Sequence, residues 1–344
     1  MYTLKNNIKF IIDPLASKLY PPKLTYQQKW GIQPNESLPI EIARGCLYNC
    51  KFCTYAKKAT YRKPLATLRD EFIRNYELFG TTTYQFCDDC FNDTRQKVEE
   101  TCNTILQLPF KINWVSHARL DVAIKFPETL DLMIESGAKG LAWGVETLNY
   151  EAAKMAGKGV SREKVKEMLA TTYNKNHDKC LYYATFIIGL PGETEESQLE
   201  TIEWLTTNKC LDFASFGVLG IPSKIADSVV GMSSPYGDNP EKYGLDLSNG
   251  SYNWQHQTMN RATAEKLLPI VYNKWLDSEN KTFLRNVWFV PFLFSMGFGW
   301  NNIKDMGRNE NNSDKWRKEV NVKFQSWLQN YWASLLVQQK PHGK

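Results

Sequence analysis

What this 344-residue chain lacks narrows it first. No apolar run is long enough to cross a bilayer, which takes about 20 residues; the richest, Val287 to Trp300, is interrupted by Pro291, Gly297 and Gly299. The N-terminal Phe10-Ile11-Ile12 patch is cut by Asp13 and Pro14, so no secretory signal is read there, and a cytoplasmic protein with no membrane contact is expected. No run of five Lys or Arg occurs although the balance of 42 basic and 37 acidic residues leaves +5; nucleic-acid binding is neither indicated nor excluded. In a reducing compartment the eight cysteines are poor candidates for a disulfide framework, which turns attention to metal or redox chemistry.

Three of those cysteines, Cys46, Cys50 and Cys53, fall within eight residues at spacing C-x3-C-x2-C, directly after the strand-like Leu38 to Ile42. Soft thiolates so spaced converge on an iron–sulfur cluster or on zinc. Structural zinc usually takes four protein ligands, and no further Cys or His appears before Cys87. Three ligands imply one open position.

Along the chain, residues 1–37 read as a Pro-punctuated lead-in. From 38 to about 230, apolar runs alternate with amphipathic patterns, the mark of βαβ units on a parallel sheet. Strands are expected at 83–86, 112–115, 140–147, 182–188 and 213–219 after the first at 38–42. Helices are expected at 64–79, after Asp93 as cap, at 127–136, after Ser161 and after Thr194. Six such repeats predict an α/β fold, a partial (β/α)6 TIM-like barrel whose chemistry sits at the C-terminal strand ends. The cysteine loop, Asp88-Asp89, Arg119, Glu146 and the Gly189-Leu190-Pro191-Gly192-Glu193 turn all follow predicted strands and are expected on one rim. Residues 231–344 read as a mainly helical extension: a Gly231 to Tyr252 loop that could serve as a lid, a helix near 267–276, and a last helix from Asp314 to Val337. That last helix has an aromatic face that packs on the barrel or binds a partner.

The Cys trio with Phe52 before its last member, followed in order by Asp88-Asp89-x-Phe91-x-Asp93, Gly144-Val145-Glu146-Thr147 and Ile188-Gly189-Leu190-Pro191-Gly192-Glu193-Thr194, resembles the radical S-adenosylmethionine (radical SAM) enzymes. The likeness is to the subgroup often fused to a cobalamin-binding domain, over about 40–220, with a weaker echo at Trp254 to Met259. The resemblance implies a [4Fe–4S] cluster on Cys46, Cys50 and Cys53 that reductively cleaves S-adenosylmethionine to methionine and a 5′-deoxyadenosyl radical. It implies Phe52 near adenine, Asp88 or Asp89 on the methionine ammonium, Arg119 on its carboxylate, Glu146 on the ribose or amine, and Ile187, Gly189 and Pro191 along the adenine. A small-molecule or peptide substrate is expected, with an electron donor such as flavodoxin or ferredoxin. A cobalamin domain is not visible in the sequence, which counts against cobalamin-dependent methylation, and the Gly-Gly-Glu amino-group motif is replaced by the Asp pair.

Bland readings stand beside these. Cys87 and Cys90 are candidates for hydrogen-atom donation or an auxiliary cluster, or are small buried residues; His117 is a candidate for proton transfer, or structural. Asp88-Asp89 could complement a helix terminus, and Arg119 could form a plain ion pair. Nucleoside or RNA modification, methyl transfer, and a non-catalytic metal-stabilised binding module remain alternatives.

Overall fold

The computed structural model describes residues 26, 30–53, 61–221, 233–278 and 282–338. Most of the predicted lead-in, the 222–230 end of the barrel segment and the start of the 231–252 loop lie outside that set.

The first strand, β1 (Leu38–Ile40), leads into a short antiparallel ladder of β2 (Ala43–Arg44) with β3 (Tyr61–Arg62) that flanks the cysteine loop. Then come α1 (Leu65–Phe79), β4 (Thr83–Phe86), α2 (Arg95–Leu106), β5 (Asn113–Ala118), α3 (Leu120–Lys125), α4 (Glu128–Glu135) and β6 (Ala138–Glu146). The series closes with α5 (Tyr150–Met155), α6 (Arg162–Asn176), β7 (Leu181–Ile188), α7 (Glu195–Thr207) and β8 (Phe213–Val218). The sheet runs β1-β4-β5-β6-β7-β8 with every neighbouring pair parallel, so it is an open partial barrel with β1 and β8 at its edges. Because all six strands point the same way, their C-terminal ends share one rim.

Local chemistry explains most element boundaries. Helix α1 stops where Gly80 adopts φ 69° and donates its N–H to Tyr76 O at 2.7 Å. Thr194 caps α7 in a reciprocal box with Ser197, and Ser161 caps α6. The expected Asp93 cap of α2 is instead Thr94, whose Oγ1 accepts from Lys97 N at 3.0 Å; the Asp93 carboxylate is drawn to Lys97 Nζ at 3.5 Å. Helix α3, with Leu120, Val122 and Ala123 buried, precedes the predicted 127–136 helix and is too short to show a period in sequence.

Two apolar layers clamp the sheet. Outward, Leu68, Phe72, Val98, Trp114, Trp143 and Ile202 pack helices on strands. On the other face, Val115, Ala142, Leu181 and Phe213 meet Leu284, Val287, Val290 and Leu293 from the C-terminal extension. The extension therefore plugs the lower part of the barrel. Gly140 permits this: a Cβ there would lie 2.7 Å from Val287 Cβ. Above the plug the same face turns polar, with Gly144, Thr185 and Ser215 in one row and His117 and Tyr183, either side of Ala142, in the row below.

Beyond β8 come α8 (Pro235–Asp238), β9 (Gln255–His256), β10 (Met259–Asn260) and α9 (Arg261–Asp277), then α10 (Val290–Ser295), α11 (Trp300–Arg308) and α12 (Ser313–Gln338). The described part of the predicted lid docks on the cysteine loop, Tyr236 N–H donating to Lys51 O at 2.9 Å. The aromatic face of α12 packs inward: Trp316 meets Phe298 and Trp327 meets Phe292, with ring centroids 6.2 and 5.7 Å apart. No described helix is long and apolar enough to cross a membrane.

Candidate active site

The cysteine loop is held by carboxylates from the neighbouring strand end. Asp88 Oδ1 accepts from the backbone N–H groups of Ile42 and Ala43 at 3.0 and 3.1 Å, and Asp89 Oδ2 accepts from Gly45 N–H at 3.1 Å, where Gly45 turns with φ 75°. Asp88 Oδ2 pairs with Lys97 Nζ at 2.8 Å, and Lys97 also donates to Cys90 O at 2.9 Å. Asp88 and Lys97 are both almost wholly buried, so this pair fixes where the loop leaves β1.

On the loop, Cys50 is buried while Cys46 and Cys53 are half-buried. The described part of the Gly231 to Tyr252 loop covers one flank, and Lys51 N–H reaches Ala156 O at 3.0 Å on another. A hydrogen bond from Cys90 brings the Cys46 thiol down to about 6 against the opposing effect of burial. Cys90 is buried against the loop, with its Sγ 3.5 Å from Asn92 Oδ1; Cys87 is exposed. Phe52 is half-buried against the outer core.

Arg119 stands at the end of β5. Nη1 donates to Cys50 Sγ at 2.8 Å, Nε and Nη2 donate to the Asp121 carboxylate at 2.9 and 2.5 Å, and Cζ lies 3.9 Å from the Tyr48 ring centroid. Burial alone would lower its pKa, but Asp121 and Cys50 raise it above the usual arginine range. Asn92 clasps the Arg119 backbone from both sides, at 2.7 Å to its N–H and 2.9 Å to its C=O. His117 lies on the polar face, its ring 4.4 Å from Trp288.

Glu146 ends β6 with φ 71°, a conformation that costs a non-glycine residue about 1–3 kcal/mol and collects at functional positions. A register shift between Gly144 and Glu146 accompanies it. The carboxylate accepts from Thr185 Oγ1 at 3.2 Å and lies 3.4 Å from Lys158 Nζ. After β7, the turn from Ile187 to Pro191 is largely spent on internal bonds. Gly189 N–H goes to Glu193 Oε2 at 3.2 Å, Gly189 O meets His256 Nε2 at 3.2 Å, and Ile187 O accepts from Gln198 Nε2 at 3.2 Å. Gly189 and Pro191 are buried and Ile187 is partly so. Buried Glu193 also accepts from Thr147 and Gln198, and its pKa is pushed up to about 7 by burial.

The structure thus brings Cys46, Cys50, Cys53, Asp88, Asp89, Cys90 and Arg119 into one cluster of contacts, with Glu146 and the Gly189 turn further along the rim. Sequence reasoning missed Lys97, Asp121, Lys158, Asn92 and the carboxylate of Glu193. The four-residue step from Asp93 to Lys97 and the two-residue step from Arg119 to Asp121 were the available signals.

Among the described residues no three His, Cys, Asp or Glu side chains close on a single-ion point. Three thiols on one loop, with an arginine on the Cys50 sulfur and the Cys90 thiol hydrogen-bonded to Cys46, are not gathered as a closed single-ion set among the described residues. They suit a cluster, whose irons spread the sulfurs apart and leave one corner to a small molecule.

The family model of the radical SAM superfamily matches residues 40–205. The bacteriochlorophyllide d C-12(1)-methyltransferase of Chlorobaculum tepidum is 26% identical over 191 residues, 54% of this chain and 40% of that protein. Among solved structures, the cobalamin-dependent S-adenosylmethionine radical enzyme OxsB is 16% identical over 79% of this chain and 46% of its own, with a TM-score of 0.49. Coproporphyrinogen III oxidase from Escherichia coli is 16% identical over 68% of this chain and 62% of its own, with a TM-score of 0.44. The chain spans less than half the length of the curated relative it matches. With its parallel partial barrel and its cysteine loop at the strand-end rim, the segment 40–205 is a radical SAM domain, the domain of a superfamily of enzymes that use a [4Fe–4S] cluster and S-adenosylmethionine.

Proposed function

We propose that this protein reductively cleaves S-adenosylmethionine and abstracts hydrogen from a small-molecule or peptide substrate. The observation that carries the reading is the half-open trio Cys46, Cys50 and Cys53, set at the C-terminal rim of a parallel barrel beside a polar inner face. When bound on those three sulfurs, the cluster supplies the single electron. This chain's residues bind and orient. Asp88 or Asp89, whose carboxylates also hold the Ile42, Ala43 and Gly45 amides of the cysteine loop, meets the methionine ammonium. Glu146, held by Thr185 and Lys158, faces the ribose or amine, and Phe52 with the Ile187 to Pro191 turn lines the adenine side. The substrate occupies the polar inner face that carries His117, Thr185 and Ser215, where His117 serves proton transfer. Exposed Cys87 is the candidate hydrogen-atom donor, while Cys90, turned toward Cys46, supports the loop. A one-electron donor such as flavodoxin or ferredoxin supplies reducing equivalents in a cytoplasmic setting.

The test is anaerobic incubation of reconstituted protein with dithionite and S-adenosylmethionine. Methionine and 5′-deoxyadenosine in equal amounts support the proposal; intact S-adenosylmethionine overturns it. A second reading, methyl transfer, is favoured by the methyltransferase relative, and S-adenosylhomocysteine in place of 5′-deoxyadenosine would select it.

A further inference from the structure

We propose that Arg119 is a positioning residue for the metal centre, whose guanidinium donates a hydrogen bond to the Cys50 sulfur and raises the reduction potential of the cluster. The inference rests on the reading that the Cys46 to Cys53 loop holds a [4Fe–4S] cluster.

The geometry leaves the guanidinium little freedom. Nη1 lies 2.8 Å from Cys50 Sγ, the Nε–Nη2 edge is filled by both oxygens of Asp121, and the Tyr48 ring covers the flat face at 3.9 Å. Its backbone is pinned by Asn92, and the residue is only 6% exposed. An arginine recruited to a substrate carboxylate ordinarily offers a free two-pronged edge. Here one such edge is spent on Asp121 and a prong of the other on sulfur.

An electron added to an iron–sulfur cluster spreads onto the thiolates, so a donor bond to one of them stabilises the reduced form more than the oxidised form. In a site this dry the effect is weakly screened. Asp121 cancels much of the guanidinium charge at a distance, but the directional N–H contact with Cys50 persists. Lysine at this position keeps the charge and loses the fork.

The test is a redox titration, followed by electron paramagnetic resonance without S-adenosylmethionine, of reconstituted wild type, Arg119→Lys and Arg119→Gln. The expected result is a midpoint shifted to more negative potential in Arg119→Gln and by a smaller step in Arg119→Lys. Coinciding midpoints, or a difference that emerges only with S-adenosylmethionine present, overturn the inference while leaving the cluster assignment intact. A wild type that takes up no iron overturns both. Should the variants fail to fold, wild type grown with 15N-arginine gives an independent readout. A 15N hyperfine coupling on the reduced cluster supports the contact, and its absence rejects it.

Discussion

Asp88 and Lys97 form a buried ion pair 2.8 Å apart at the foot of the cysteine loop, and the second carboxylate oxygen takes the amides of Ile42 and Ala43. Both members of the acidic pair at this strand end therefore support the cysteine loop, Asp88 through Ile42, Ala43 and Lys97 and Asp89 through the Gly45 amide. Removing one partner of such a pair strands a buried charge at about 3–5 kcal/mol. Asp88→Ala is expected to destabilise the apoprotein by that amount in urea unfolding, and the double variant Asp88→Ala with Lys97→Met to recover part of it. Equal stability of the single variant and wild type would show the pair to be idle.

Glu146 keeps a left-handed conformation that glycine adopts freely, at φ 71°. Glu146→Gly and Glu146→Ala both delete the carboxylate, so both are expected to weaken S-adenosylmethionine binding alike. Their stabilities should differ, with the glycine variant about 1 kcal/mol the more stable. Calorimetric titration and urea unfolding read the two effects separately; an alanine variant as stable as the glycine variant would remove the strain.

Gly189, at φ 93°, lies under the indole of buried Trp254, which would collide with any Cβ. Trp254 is itself tied to Leu219 O at 2.8 Å, so it cannot withdraw cheaply. Gly189→Ala is expected to cost about 2–4 kcal/mol through overpacking and backbone strain, seen as a lowered melting temperature and altered Trp254 fluorescence. An unchanged melting temperature contradicts the packing at this turn.

Glu193 gives a pH signature. Its folded pKa of about 7 lies above the ordinary glutamate value, because burial opposes the charge more strongly than Thr147, Gln198 and the Gly189 amide favour it. Between the unfolded value and about 7 the native state holds the extra proton, so stability is expected to fall as pH rises through that window and to level off above it. The drop is on the order of 3 kcal/mol. In Glu193→Gln this part of the slope should vanish; a slope common to both proteins contradicts the buried-carboxylate account.

Much of this site was legible because its signals are local. Three cysteines in eight residues, a strand–turn–helix rhythm and Thr194 or Ser161 at helix starts are read within short windows, and a parallel sheet then carries the strand ends to one rim. What stayed hidden depends on contacts distant in sequence. Nothing near Arg119 announces that its guanidinium reaches Cys50, sixty-nine positions away. The aromatic run around Val287 shows no period because it serves as a plug fitted to Val115, Ala142 and Leu181 rather than as a regular face. Asp93 looked like a cap in sequence, and Lys97, one helical turn on, drew its carboxylate away.

The central claim is that Cys46, Cys50 and Cys53 together grip a four-iron cluster. Its most direct test is metal analysis of anaerobically reconstituted wild type beside the three Cys→Ala variants. The account predicts about four irons per wild-type chain with a brown chromophore, lost in each variant. A colourless wild type carrying a single zinc, retained when any one of these cysteines is replaced, would contradict it.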